Sequence, residues 1–279
     1  MIKSTLKSLS NILPVPGRLR YALMKFYLTS VERAYDTYFY GITAAHLRSS
    51  LKLWQIINRD QGYLRSFAEG RCLDAAGQPV PWYTYPAIEH LDQLDFSGKN
   101  VFEYGAGNST LWWANRAKSV TSVEIREPWY DQIKATMPGN CHLMLETDPD
   151  KYIESIKKIP DGFDVIVVDG YARKGGRLRC SAMALESLRP NGLIILDNAD
   201  WLPMSAQYLR NAGLLEVNMC GFSPLNSYAG VTALYFTRDC DLGRKDSTTA
   251  ARAVGGAPRC WEKETNVPTE LRAELKLRI

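Results

Sequence analysis

From Val101 onward the chain alternates short apolar runs with segments of helix length, and this alternation constrains the fold more than any other feature. Apolar runs of five or six residues suit strands buried on both faces, and the segments between them are long enough to serve as the crossovers that parallel strands require. Strands are expected at about 100–104 (NVFEY), 120–124 (VTSVE), 141–146, 163–169 (FDVIVVD) and 192–197 (GLIILD). Helices fit between and after them, at about 109–117, 127–137, 150–158, 178–188 and 203–211. LLEVNMC and VTALYFT follow, joined by a turn-rich loop with Pro224 and Asn226, and they read as a hairpin added antiparallel to the sheet.

The expected class is therefore α/β, a Rossmann-like doubly wound sheet with a terminal antiparallel hairpin, spanning residues 98–238. Residues 1–97 read as a mostly helical region up to the Gly/Pro punctuation at Gly70 to Pro81, where PWYTYPAIEHLDQL reads as a loop entering a helix. Residues 239–279 read as a polar tail with one short helix at TELRAELKLRI.

Composition narrows the partners. The 34 basic and 30 acidic side chains leave a formal charge of +4, too mild to demand nucleic acid or a membrane, and no nucleic-acid partner is expected. The six cysteines are spread out with no CxxC pair, which suits unpaired thiols in a reducing compartment. No stretch approaches the roughly 20 apolar residues of a membrane span. The N-terminus also lacks the apolar core of a secretory signal, so a cytoplasmic location is expected. Between Arg18 and Tyr40, basic residues alternate with Leu, Met, Phe and Tyr. That segment reads as a helix packed on the main domain, with contact to a membrane surface as the alternative.

The chemistry starts at VFEYGAGNSTLWWA, where Gly105 and Gly107 follow an apolar strand and precede a helix. Glycines suit a sharp turn that a ligand must approach closely, and Asn108 or Ser109 could cap the helix behind it. Thr110 stands where the dinucleotide fingerprint has its third glycine, which counts against a tightly held pyrophosphate. Glu103 points the same way, because a carboxylate there repels a diphosphate and attracts a sulfonium or an ammonium group. Glu124 ends the second strand, where a carboxylate can accept both ribose hydroxyls of an adenosine.

With VFEYGAGNST, VTSVEI, FDVIVVDG and LRPNGLIILDNAD, the chain resembles the class I S-adenosylmethionine-dependent methyltransferases over about half its length. A terminal hairpin is more typical of that family than of nucleotide dehydrogenases. PWYTYPAIEHL, followed by the glycine motif, is similar to a bacterial group of methyltransferase-like proteins. The resemblance implies that Glu103, Gly105, Gly107, Asn108, Ser109 and Glu124 bind the cofactor, with Glu103 and Gly105 near its methionine part and Glu124 on the ribose.

Asp169 and Asp197 end the fourth and fifth strands, with Asn198 beside the latter, so all three should face one crevice. Their oxygens would suit Mg²⁺, and the pattern resembles that of metal-dependent catechol and caffeoyl-coenzyme A O-methyltransferases; simple strand-end acids are the alternative. Between them GYARKGGRLRC carries Arg173, Lys174, Arg177 and Arg179, read either as a solvated face or as an anion-binding lid. Asp169 and Lys174 are the candidate catalytic bases. Tyr83 and Tyr85 either line the substrate pocket or pack, and His46, His90 and His142 read as structural.

The expected activity is methyl transfer from S-adenosylmethionine to an oxygen of a small-molecule or glycan-like acceptor. The alternatives are an NAD-dependent Rossmann oxidoreductase and a non-catalytic binding module of the same fold.

Overall fold

A computed structural model describes Ser30, residues 44–245 and residues 253–256. Apart from Ser30, the helix expected between Arg18 and Tyr40 lies outside these residues, as does the one expected at TELRAELKLRI. The chain divides into two compact units, Met1–Gln55 and Ile56–Ile279. The described part of the first is Ser30 and helix α1 (Ala44–Gln55). In the second, a π-helical turn (Ile56–Asp60) precedes α2 (Tyr63–Glu69) and α3 (Tyr85–Leu91), and the sheet begins after them.

The sheet units follow the sequence pattern closely. They run β1 (Asn100–Tyr104), α4 (Asn108–Ala114), β2 (Ser119–Glu124), α5 (Glu127–Lys134), β3 (Cys141–Leu145), α6 (Pro149–Glu154) and β4 (Phe163–Val168). Then come α7 (Gly176–Ser187), β5 (Leu188–Asp197), α8 (Pro203–Asn211), β6 (Leu215–Phe222) and β7 (Ala229–Phe236). Short 3₁₀ turns at Ser155–Lys158, Arg173–Gly175 and Ala199–Trp201 complete the connections.

The seven strands lie in the order β3-β2-β1-β4-β5-β7-β6, with the first five parallel. This is the expected doubly wound sheet. The hairpin is present, but β7 pairs with β5 and β6 takes the edge. Burial explains that order. Ala233, Leu234 and Tyr235 of β7 are apolar on both faces and fully enclosed, whereas β6 alternates and leaves Leu215 and Phe222 half exposed.

Side chains alternate across each strand, so the sheet carries two cores. Phe102, Tyr104, Val168, Ile194 and Leu196 pack on one face against Tyr152 and Ile153 of α6, Cys180 and Ala184 of α7 and Leu209 of α8. Val101, Val165, Val167, Leu193 and Ile195 pack on the other against Tyr83, Leu91 of α3 and Trp112 and Trp113 of α4. Fully burying one such large apolar side chain contributes about 1.5–3 kcal/mol, so these aromatics anchor α3 and α4 over the second face.

The strand order reverses between β1 and β4, where one crossover leaves toward β2 and the next toward β5. Such a switch point opens a crevice at the carboxyl ends of the strands. Glu103, Asp169 and Asp197 share the parity of the second face, so the fold gathers three acids at one end of it.

Candidate active site at the strand tips

The glycine loop is held from both sides. Gly105 has φ +92°, and a Cβ there would lie 2.9 Å from Gly170 Cα and 3.0 Å from the Asp169 carbonyl oxygen, so the β1 and β4 tips meet through their backbones. The Ala106 N–H donates to Glu124 Oε2 at 3.2 Å, and the Trp129 indole N–H donates to the Ala106 carbonyl at 2.6 Å. Gly107 is extended and caps α4 without a side-chain bond. The capping roles expected of Asn108 and Ser109 are not found: Asn108 Nδ2 donates instead to the Cys72 carbonyl at 2.6 Å.

Thr110, in the place of the third glycine, ties the loop to the acid beneath it. Its hydroxyl accepts from the Gly107 N–H at 3.0 Å and donates to Glu103 Oε2 at 2.5 Å. Ser122 of β2 donates to the same oxygen at 2.8 Å. Glu103 is fully buried, and its Oε1 has no partner at hydrogen-bonding geometry. Burial pushes its carboxyl up to about 7, against the pull of the Ser109, Thr110 and Ser122 hydroxyls.

Glu124 closes the other side. Its Oε1 accepts from the Ile125 and Arg126 N–H groups at 3.0 and 2.8 Å, while Oε2 holds Ala106. A carboxylate offers about four acceptor sites, so these three bonds leave capacity for a ligand hydroxyl.

The β4 and β5 tips are arranged around a cation the chain itself supplies. Arg177, buried in the first turn of α7, donates to the carbonyls of Gly170 (2.8 Å), Val168 (3.1 Å) and Asp197 (3.0 Å), and to Asp169 Oδ1 (3.0 Å). Asp197 Oδ1 accepts from Thr232 Oγ1 at 2.6 Å, and that hydroxyl accepts from the Thr84 N–H at 3.0 Å. Burial raises both carboxyls from their ordinary value, Asp197 well above it; Arg177 pulls Asp169 back, while the Asp169 charge pushes Asp197 further up. Cys72 and Tyr83 lie within electrostatic reach of these acids. Burial first, then the charges of Asp169 and Asp197, raise the Cys72 thiol, and Tyr83 feels Glu103 as well as both aspartates.

This geometry corrects the Mg²⁺ expectation. The guanidinium already balances Asp169, Asp197 is bonded to Thr232, and Asn198 takes a left-handed conformation with φ +56°. Among the described residues, no three His, Cys, Asp or Glu side chains are grouped to hold a metal ion. The residues therefore suit a divalent cation poorly, because a built-in guanidinium already neutralises one of the two acids it would need.

The basic run also resolves into unlike parts. Arg177 faces inward, Arg179 pairs with Asp150 at 2.7 Å, and Arg173 and Lys174 are exposed. Lys174 is exposed and does not join the acids. Tyr83 is packed, fully buried and accepting from Trp113 Nε1 at 3.3 Å, while Tyr85 is buried with its hydroxyl unpartnered. Sequence reasoning missed the roles of Arg177, Thr110, Thr232 and Trp129. A signal existed for the first, since Arg177 is in phase with Cys180, Ser181 and Ala184 on the buried stripe of α7.

No protein-family model matches the chain, and no curated protein matches it. Solved structures match about half of it. The precorrin-6y C5,15-methyltransferase of Geobacter metallireducens is 17% identical, covering 55% of this chain and 88% of its own, with a TM-score of 0.43. The N-methyltransferase NodS of Bradyrhizobium japonicum is 16% identical, with coverages of 55% and 89% and a TM-score of 0.40. An rRNA methylase of Streptococcus thermophilus is 15% identical, with coverages of 56% and 94% and a TM-score of 0.37. All three are methyl-transferring enzymes by name, but at these scores the function has to be argued from the residues of the site. Among the described residues no helix is long and apolar enough to cross a membrane.

Proposed function

We propose that this chain binds S-adenosylmethionine across the tips of β1 and β2 and transfers its methyl group to an oxygen of a small-molecule or glycan-like acceptor. One observation carries the reading: the glycine loop lies between two buried carboxylates, and one of them, Glu103, is held by hydroxyl groups alone, with no cation paired to it among the described residues. A buried carboxylate without a countercharge is costly, and a cationic ligand removes that cost. A diphosphate in the same loop would add negative charge beside Glu103. Thr110, which would have to yield to it, is committed to Glu103 and Gly107.

The residues then divide the work. Glu103 favours the positive end of the cofactor, the loop from Gly105 to Ser109 lies against its methionine part, and Glu124 accepts a ribose hydroxyl. The cofactor supplies a methyl group activated by its sulfonium. Asp169 and Asp197 lie beyond the loop on the acceptor side, where either carboxylate can take the proton that an attacking hydroxyl loses, and the main catalytic effect is orientation. The raised proton affinity of both acids suits that task.

Thermal unfolding with S-adenosylmethionine and with NAD tests the reading. A ligand at about 100 times its dissociation constant adds about 2.7 kcal/mol of stability. The proposal requires a clear rise in Tm with S-adenosylmethionine and none with NAD. A rise with NAD alone favours the oxidoreductase, and binding of S-adenosylmethionine without transfer to any acceptor favours the non-catalytic module.

A further inference from the structure

The end of β5 leads directly to aromatic side chains that the fold leaves in solvent. After Asp197 and Asn198 the chain makes the 3₁₀ turn Ala199–Trp201, closed by the Trp201 N–H on the Asn198 carbonyl at 2.9 Å. The Trp201 ring lies over Tyr228, with centroids 5.9 Å apart and planes 35° apart, and the two residues are 59% and 47% exposed. Neither sits on a loose segment. Asp200 Oδ1 accepts from the Val231 N–H at 3.2 Å, which ties the turn to β7. The loop before Tyr228 is tied through Asn226, whose Oδ1 accepts from Trp82 Nε1 at 3.2 Å and whose carbonyl accepts from Tyr63 Oη at 2.8 Å.

Two large aromatic rings held rigidly in water, beside a catalytic crevice, mark a binding surface, because the fold itself gains nothing from their exposure. The groups beside them limit what it takes. Asn198 makes no side-chain cap bond, and Asp200 is engaged through one oxygen, so a carboxamide and a carboxylate oxygen remain for hydroxyl groups. A ring with an apolar C–H face and several hydroxyls around its edge is the chemistry of a saccharide, whereas an acceptor with a single hydroxyl would leave one of the two polar groups unused.

We propose that Trp201 and Tyr228 form the platform on which a saccharide ring of the acceptor stacks, with Asn198 and Asp200 meeting its hydroxyls. This rests on the methyl-transfer reading, for which the platform supplies the acceptor. The test is binding of the fluorescently labelled full chain to a printed glycan array, with gel filtration and circular dichroism on every variant. The wild type should bind a subset of glycans, and Trp201→Ala and Tyr228→Ala should each lower the signal at least tenfold while staying folded. Leu64→Ala, which removes an equally exposed side chain elsewhere, should bind as the wild type does. No bound glycan, or binding unchanged in Trp201→Ala, overturns the proposal. A dimer that dissociates on Trp201→Ala would assign the surface to a second copy of the chain and overturn it as well. S-adenosylmethionine titrated into the wild type reports separately on methyl transfer: cofactor binding without glycan binding removes the platform alone, and the reverse removes the methyl-transfer reading.

Discussion

Arg177 Nη2 lies 3.0 Å from Asp169 Oδ1, and the same guanidinium bonds three backbone carbonyls at the tips of β4 and β5. A buried arginine thus holds together the strand ends on which the proposed acceptor chemistry stands. Removing one partner of a fully buried pair costs about 3–5 kcal/mol, and here, with the Asp169 side chain 22% exposed, the loss should fall toward the lower end. Arg177→Met should show that loss in urea unfolding. Arg177→Lys keeps the charge but not the fork, and should recover only part of it.

The same arrangement predicts indifference to divalent cations. Millimolar Mg²⁺ should leave Tm unchanged, and excess chelator should leave methyl transfer unchanged. A Tm that rises with Mg²⁺, or activity lost to chelator and restored by Mg²⁺, would show that Asp169 and Asp197 do gather around a metal.

Glu103 makes stability depend on pH with a defined sign. Its carboxyl titrates at about 7 in the fold against an ordinary value of 4.5, so between these values the native state holds a proton that the unfolded state has lost. The stabilisation is complete below pH 4.5 and disappears as pH rises to 7, a change of about 3 kcal/mol for the ligand-free protein. Glu103→Gln should flatten that slope in denaturant titrations at pH 5 and pH 8. Cofactor affinity runs the other way, since a cationic ligand needs the ionised form. With about a tenth of Glu103 ionised at pH 6, the apparent Kd should be roughly tenfold weaker there than at pH 8.

Glu124 both shapes the loop and, in this account, meets the ribose. Glu124→Ala frees the N–H groups of Ala106, Ile125 and Arg126, so it should lower stability by about 1–3 kcal/mol as well as weaken cofactor binding. Glu124→Gln keeps one carbonyl oxygen and should stay closer to the wild type on both counts. A folded Glu124→Ala chain with unchanged affinity would remove Glu124 from the cofactor site.

Gly170 has no room for a side chain, because a Cβ there would fall 1.8 Å from Tyr152 Oη, a buried hydroxyl with no hydrogen bond at proper geometry. Gly170→Ala should cost about 1–3 kcal/mol. Tyr152→Phe gives up only the contact of that hydroxyl with the Tyr171 backbone, so its own cost should be small and the double variant should recover much of the loss. Additive effects would show that the two residues do not meet.

The sequence carried the sheet because apolar runs and helix-length spacers leave few alternatives, and the turn at Gly105 because only glycine suits that backbone. What it hid depends on long-range pairing. The place of β7 beside β5 follows from both faces of VTALYF being enclosed, which a hairpin pattern alone does not reveal. Arg177 looked like its three basic neighbours until the buried stripe of α7 separated it from them. Thr110 read as a missing glycine, although its hydroxyl joins Glu103 to the loop. Tyr83 was legible only as an aromatic near the core, and packing against Trp113 decided its fate.

Calorimetric titration of S-adenosylmethionine into the wild type and Glu103→Gln at pH 8, with NAD as the control ligand, measures the central claim most directly. The account predicts one site per chain for S-adenosylmethionine in the micromolar range, at least tenfold weaker binding in Glu103→Gln, and no heat from NAD. Binding of NAD with no binding of S-adenosylmethionine, or a Glu103→Gln chain that binds S-adenosylmethionine as the wild type does, would contradict it.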